Sequence, residues 1–301
     1  MTFTFALDAS GDESTDGLET GIPVLGGEPR EVIMGAAAPA GKEDILSLWR
    51  GEDGLVGISR TDPRDNLEGA VGRVYSDILH AARGLNLYRI WNFIPRINEE
   101  GPGGLENYRA FCRGRSLAFE SGLGKDFLSS LPAASGVGSA GSELVVVFLA
   151  GPEPTRHFEN PEQVPAYMYP AEHGPRPPSF ARATTVKGKG GMNVFVSGTS
   201  AIMGHSTVSP HDTAGQLDCT LENLRLISRA CGLGDNLAAG TGCSRHFKVY
   251  LRNAGDLPAV ALELDRRMLS PGDRVSYLGA DICRSALNVE IEVAVRGVES
   301  T

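Results

Sequence analysis

Two glutamates, two residues apart in the segment LNVEIEVAV, are the side chains of this 301-residue chain best suited by type and spacing to acid chemistry. Leu287, Val289, Ile291 and Val293 alternate with Asn288, Glu290 and Glu292, which is the period of a β-strand and puts both carboxyls on one face. On a solvated strand they are two surface residues. On a strand covered on both faces, at least one stands in a pocket, where burial raises its pKa and fits it to donate a proton near neutral pH. Cys283 lies seven residues earlier in GADICRSALNVE, at the end of a predicted strand, and a hairpin turn would bring its thiol toward Glu290. The competing reading of Cys283 is a small buried hydrophobe, as most free cysteines are.

A proline-rich stretch, AYMYPAEHGPRPPSFARA, holds Tyr167, Tyr169, Arg176 and Arg182. Arginines on a stiff loop suit carboxylates, which guanidinium pairs in bidentate fashion; the alternative is a solvated linker. Gly198, within VFVSGTSAIMGH, interrupts a strand pattern, as a close approach of ligand or backbone requires and as a simple bulge also does. His205 is read as a loop residue.

Other chemistries find little support. The five cysteines form no C-x-x-C pair and no histidine sits at metal-ligand spacing, so neither a disulfide framework nor a zinc site is predicted. GKGG at 188–191 lacks the spacing of a phosphate-binding loop, no G-x-G-x-x-G joins a strand to a helix, and no G-x-S-x-G elbow occurs. A net charge of -9 without a basic stripe argues against a nucleic-acid partner, and an anionic substrate would need a locally basic pocket. No apolar run approaches the ~20 residues that span a bilayer. The opening MTFTFALDASGDESTDG lacks the features of a secretory signal, so no membrane partner and a cytoplasmic location are expected.

The elements that must position these residues follow from periodicity. Leu67, Val71, Val74, Ile78, Leu79 and Ala82 predict a helix over 66–84, capped by Asp65 and stopped by Gly84. A strand at 87–94, a helix at 105–119, the loop LPAASGVGSAG and an apolar strand at 143–150 follow. After the proline-rich connection, strands are predicted at 181–187 and 192–202, a helix at 213–231, a strand at 246–252, a helix at 257–268, and strands at 275–282 and 287–295. Residues 9–44 show little periodicity, with possible edge strands in GIPVL and EVIMGAA.

The order repeats. NLYRIWNFIP matches SRHFKVYLRN, and PAASGVGSAGSELVVVFLA lies over YLGADICRSALNVEIEVAV, which points to an internal duplication. The closing strand reads VVVF in the first copy and VEIE in the second, so the carboxylates belong to the second alone. The expected division is a first unit over 1–151 with an irregular N-terminus, a connection over 152–180 that contributes to the site, and a second, catalytic unit over 181–301.

The blocks FVSGTSAI, DTAGQLDCTLENLRLI, FKVYLRN and VEIEVAV resemble the RidA (YjgF) superfamily. Together with LYRIWNFIPRIN, NYRAFCRGR, YPAEHGPRPPSFARA and ADICRSALNVEIE, they make residues 65–297 resemble the chorismatases, which supply starter units for secondary metabolism. The resemblance implies an α+β fold of two RidA-like, chorismate-mutase-like subdomains in pseudo-symmetric arrangement, each a mixed sheet with helices on one face. It implies chorismate as substrate, no cofactor, and a monomer. It makes Glu290 the donor that protonates the enolpyruvyl methylene before pyruvate leaves. Tyr167, Tyr169, Arg176, Arg182, Gly198 and Arg284 become substrate contacts. Cys283 with Gly198 marks the branch whose neighbouring ring hydroxyl displaces the ether before aromatisation, so 3-hydroxybenzoate is the preferred product. The 4-hydroxybenzoate-forming and hydrolytic, dihydroxycyclohexadiene-forming branches are the alternatives, and a RidA-like small-molecule-binding protein without lyase activity is the alternative of another class. Ala171-Glu172-His173 departs from the family, which carries something closer to Arg/Pro-Gln-Tyr there, and the N-terminus is shorter than is typical.

Overall fold

A computed structural model describes residues 1–7 and 17–299. Three strands, Thr2–Ala6 (β1), Leu18–Gly27 (β2) and Arg30–Val32 (β3), precede the first repeat. That repeat runs Ala37–Glu43 (β4), Leu46–Gly51 (β5), Gly54–Thr61 (β6), Leu67–Ala81 (α1), Asn86–Pro95 (β7), Asn107–Leu123 (α2), Ala133–Ser139 (β8) and Leu144–Gly151 (β9). The second runs Thr155–Phe158 (β10), Ala183–Gly188 (β11), Gly191–Thr199 (β12), the small hairpin Ile202–Met203 (β13) and Ser206–Thr207 (β14), and Thr213–Ala230 (α3). It continues with Ser244–Leu251 (β15), Leu257–Arg267 (α4), Arg274–Gly279 (β16) and Val289–Val298 (β17).

The sheet orders establish the duplication. The first sheet is β4-β5-β6-β9-β7-β8, and the second contains β10-β11-β12-β17-β15-β16 in the same arrangement. In each, the last strand inserts antiparallel between an early and a middle strand, and the remaining pair, β7 with β8 or β15 with β16, is parallel. These are the two mixed-sheet α+β units expected from the sequence.

Alternation along the strands dictates four layers. Ile90, Ile94, Val146 and Phe148 face Val71, Val74, Ile78 and Phe111 of α1 and α2. Val249, Val289, Ile291 and Val293 face Leu217, Leu221, Leu224 and Leu264 of α3 and α4. The opposite strand faces meet each other, with Trp91, Phe93, Val145 and Val147 in one core with Phe5, Phe195 and Tyr250. Each such fully buried side chain stabilises the fold by about 1.5–3 kcal/mol.

Several expectations are corrected. LPAASGVGSAG is not a loop: it holds β8, whose small residues let it lie close to its neighbours, a Cβ at Gly138 meeting Ile97 and Asp281 side-chain carbons at 2.7 Å. The cap of α1 is Asn66, which accepts from Gly69 N at 2.8 Å, rather than Asp65. Strands β4–β6 carry little readable period because glycines and Pro39 interrupt them. Of the stretch 9–44, residues 9–16 lie outside the described residues. EVIMGAA supplies the edge strand β3, but GIPVL falls in β2, which is interior between β16 and β1. The sheet therefore assigns β1–β3 to the second unit, although the sequence places them before the first.

A buried ion pair fastens that addition. Lys248 of β15 bonds Glu31 of β3 and lies 2.8 Å from Glu292 of β17, with all three side chains at most 2% exposed. Its ammonium also lies 5.3 Å from the ring centre of Phe5 and 5.4 Å from that of Trp91. Removing one member of such a pair leaves an uncompensated buried charge. Lys248→Met is expected to destabilise the chain by about 3–5 kcal/mol at neutral pH, read by urea unfolding; an unchanged midpoint would contradict the pairing.

Candidate active site

The strand register explains why only one repeat carries acids. Glu290 pairs with Tyr250 and Glu292 with Lys248, just as Val145 pairs with Phe93 and Val147 with Trp91. Trp91 is therefore the counterpart of Lys248, one residue away from the correspondence that simple alignment of NLYRIWNFIP with SRHFKVYLRN implies. Both acids sit on the inner face of β17, at 4% and 1% exposure, between the two sheets. The reading as surface residues is excluded.

Neighbours separate the two carboxyls electrostatically. Glu292 accepts from Trp91 Nε1 and Arg89, both at 2.8 Å, from Lys248, and from the Ser135 hydroxyl. Burial alone raises its pKa, but Lys248 and Arg89 outweigh that and hold it down at about 2. Glu290 has no such cation in contact. Burial first, and then the fixed negative charge of Glu292, push its pKa up to about 8. Its one hydrogen bond among the described residues is from Ser200 Oγ, 3.3 Å from Oε2. The arrangement yields a carboxylic acid that keeps its proton at neutral pH beside a permanent carboxylate.

Gly198 makes room for that acid. The β12–β17 register shifts between Val196 and Thr199, so Gly198 lies in a bulge, and a Cβ there would stand 2.6 Å from Glu290 Cδ. The register agrees with the bulge reading of Gly198, and what needs the space is the Glu290 side chain rather than backbone. Gly198 N donates to Ser135 Oγ at 3.0 Å, tying the bulge to the first sheet.

A cavity of about 260 Å³ opens over Glu290, and Cys283, Tyr169, Arg182, Gly198 and Arg284 line it with the acid. Arg182 donates to Tyr169 Oη at 2.8 Å, and its buried Nε has no partner among the described residues. Cys283 does not arrive by a hairpin, because β15 lies between β16 and β17. It comes instead from the loop after β16. Arg252 staples that loop, donating to the carbonyls of Leu287 at 2.8 Å and Arg284 at 3.1 Å. Burial, then the charge of Glu290, push the Cys283 thiol up to about 12, so it is present as a neutral thiol rather than a nucleophile.

Two expected contacts fall outside the cavity wall. Arg176 pairs with Glu120 of α2 at 2.9 Å, and Tyr167 packs against the core of the first unit. The two arginines of the proline-rich segment thus serve different purposes, Arg176 pairing with α2 and Arg182 lining the cavity.

Periodicity gave no warning of several lining residues. Arg115, 2% exposed, stands 4.9 Å above the Phe111 ring and 5.9 Å from Phe180, which Arg182 approaches from 5.1 Å. Arg109 and Tyr108 join it from α2. Their only sequence signal was the motif NYRAFCRGR. With Arg109, Arg115, Arg182 and Arg284 in its wall, the cavity supplies the basic environment that an anion requires in a chain of net charge -9.

Residues 33–150 match the family model described as chorismatase FkbO/Hyg5-like, N-terminal. A 3-hydroxybenzoate synthase of Streptomyces hygroscopicus is 43% identical over 218 residues, covering 70% of this chain and 63% of that protein. A chorismatase of the same organism is 34% identical over 317 residues, covering 96% and 91%. Among solved structures, a chorismatase superposes with a TM-score of 0.79 at 33% identity, covering 87% of this chain and 80% of the other.

The pKa separation carries a stability signature. With the Glu290 carboxyl raised from 4.5 to about 8, its contribution is fully present below pH 4.5 and is lost as pH rises through 8. Glu290→Gln, which cannot ionise, should match the parent near pH 4.5 and exceed it at pH 9 by an amount on the order of a few kcal/mol. Paired urea titrations at the two pH values measure this; a constant difference would mean that Glu290 is not raised.

Proposed function

The chain belongs to the chorismatase family, and we propose that it removes the enolpyruvyl group of chorismate as pyruvate, with Glu290 as the proton donor and 3-hydroxybenzoate as the ring product. The observation that carries this reading is a buried carboxyl, its pKa pushed up to about 8 by burial and by Glu292, facing an arginine-lined cavity of about 260 Å³. Chorismate carries two carboxylates and an enol ether, so it needs cations for recognition and an acid for reaction.

The acid delivers its proton to the terminal methylene of the enolpyruvyl group. The ether carbon becomes an oxocarbenium ion, and the bond from ether oxygen to ring weakens because pyruvate can now depart as a neutral carbonyl. Glu292, held ionised beside it, keeps the proton on Glu290 until substrate takes it and disfavours the bare carboxylate afterwards. In the aromatising route the neighbouring ring hydroxyl bonds to the carbon that the ether oxygen leaves, its original carbon–oxygen bond then opens, and loss of a ring C–H proton restores the acid, so no water is consumed. The hydrolytic route adds one water instead. The neutral, half-buried Cys283 and the likeness to a 3-hydroxybenzoate synthase favour the first route. Arg182, with an unpartnered Nε, and Arg115 are assigned to the substrate carboxylates. A monomer working in the cytoplasm completes the reading; no helix among the described residues is long and apolar enough to cross a membrane.

A coupled pyruvate assay on chorismate, with chromatography of the ring product, tests the proposal. Glu290→Gln should lose about 10²–10⁴-fold in kcat while remaining folded. Parent activity should fall as pH rises past about 8, when the donor ionises. Full pyruvate release by the folded variant would refute the assignment. Binding of aromatic carboxylates without turnover by the parent would favour a binding protein.

The two arginines of the proline-rich segment are predicted to separate. Arg182→Ala should raise KM by about 10-fold or more, the loss of a charge-assisted pair worth about 1.5–3 kcal/mol, whereas Arg176→Ala should leave KM unchanged. Steady-state kinetics on both variants decide, and equal effects would count against the cavity as the substrate site.

A further inference from the structure

Beside the cavity, two neighbouring side chains and a third, thirty-two positions further on, converge. His173 Nε2 lies 3.0 Å from His205 Nδ1, and Glu172 Oε1 lies 3.4 Å from each of these nitrogens. The triangle has the dimensions of a metal site: bonds of 2.0–2.1 Å in a tetrahedron place neighbouring donors about 3.3–3.4 Å apart. We propose that Glu172, His173 and His205 bind one divalent transition-metal ion of the zinc type at the wall of the cavity.

The donors are held ready by the scaffold. Glu172 and His173 occupy a short 3₁₀ turn, Ala171–His173, between Pro170 and Gly174. His205 sits at the tip of the β13–β14 hairpin, whose Gly204 exchanges backbone hydrogen bonds with Glu162 and Val164 at 2.9 and 3.0 Å. The Tyr169 ring supports both imidazoles, with centroids 5.2 Å from His173 and 6.3 Å from His205. Little chain ordering remains to be done on binding.

The donor set selects the metal. Two imidazoles and one carboxylate suit Zn²⁺, Co²⁺, Ni²⁺ or Cu²⁺, whereas Mg²⁺ and Ca²⁺ favour all-oxygen shells. Arg284, whose guanidinium lies 5.5 Å from the Tyr169 ring, and Arg109, paired with Glu106 at 3.2 Å, are cations that oppose a bare metal charge. Affinity therefore rests on directed ligation, and three protein donors leave a further position for water or an anion. His173 lines the cavity, so an anionic group bound there is within the same enclosure. A bound ion would add a second link between the proline-rich connection and the hairpin, which the Gly204 backbone hydrogen bonds already join.

Titration of the full chain, freed of metal by chelation, with Co²⁺ alone tests the site without turnover, and so independently of the reaction proposed above. Expected is one equivalent taken up with the intense visible bands of a four- or five-coordinate ion, displaced by Zn²⁺. His173→Gln and His205→Gln should each weaken binding at least tenfold and Glu172→Gln by less. His80→Gln, which removes an exposed histidine 3.0 Å from Glu43, should change nothing. In the unaltered chain, Zn²⁺ should perturb the NMR signals of two of the six imidazoles. No Co²⁺ uptake, uptake insensitive to both histidine variants, or Zn²⁺ shifts at other imidazoles would overturn the proposal and leave a histidine–histidine hydrogen bond.

Discussion

Two carboxyl groups placed two residues apart on one buried strand cannot both carry charge without cost, and the rest of the molecule decides which one does. Arg89 and Trp91 from the first sheet, Lys248 from the second, and Ser135 from β8 all converge on Glu292. Glu290 receives one hydroxyl and a glycine bulge. An acid that remains protonated at neutral pH thus results less from its own pocket than from the solvation given to its neighbour. The desolvation of Glu292 is compensated by hydrogen bonds and opposite charge; that of Glu290 is relieved by keeping the proton.

Duplication made this possible at small cost to the fold. The closing strands β9 and β17 are the same element in two copies, and Val145 and Val147 mark what an unmodified copy contributes: apolar packing. Once one copy bears acids, the other copy supplies the cation, indole and hydroxyl that receive the charge. The asymmetry of sequence is therefore complementary across the interface, and neither sheet alone has a complete site. Close approach of β8 and β12, permitted by alanine, serine and glycine, sets the distance over which this works.

The element order, the duplication and the shared face of Glu290 and Glu292 were legible because each depends on local period. Glu290, Cys283, Tyr169, Arg182, Gly198 and Arg284 were named from sequence and family resemblance and do meet in one cavity. What stayed hidden was non-local. Nothing about GVGS distinguishes a loop from an edge strand of small residues packed closely against the other sheet. Arg176 and Arg182 look equivalent on a proline-rich segment until α2 offers Glu120 to one of them. His173 and His205, thirty-two positions apart, have no recognisable spacing, and only the hairpin brings them together. Lys248 reads as an ordinary charged residue in a strand, since its partners come from β3 and β17.

The counter-ion Glu31 arrives from a segment that precedes the first repeat yet belongs to the sheet of the second. The polypeptide consequently crosses from one unit to the other and back, and a cut at the proline-rich connection would not liberate two autonomous halves. The later fragment would lose three strands and one partner of its central lysine, while the earlier would be left with an orphaned N-terminal ribbon. Assembly of the acid site is in this way linked to strands drawn from distant parts of the chain, β3 and β7 as well as β15 and β17.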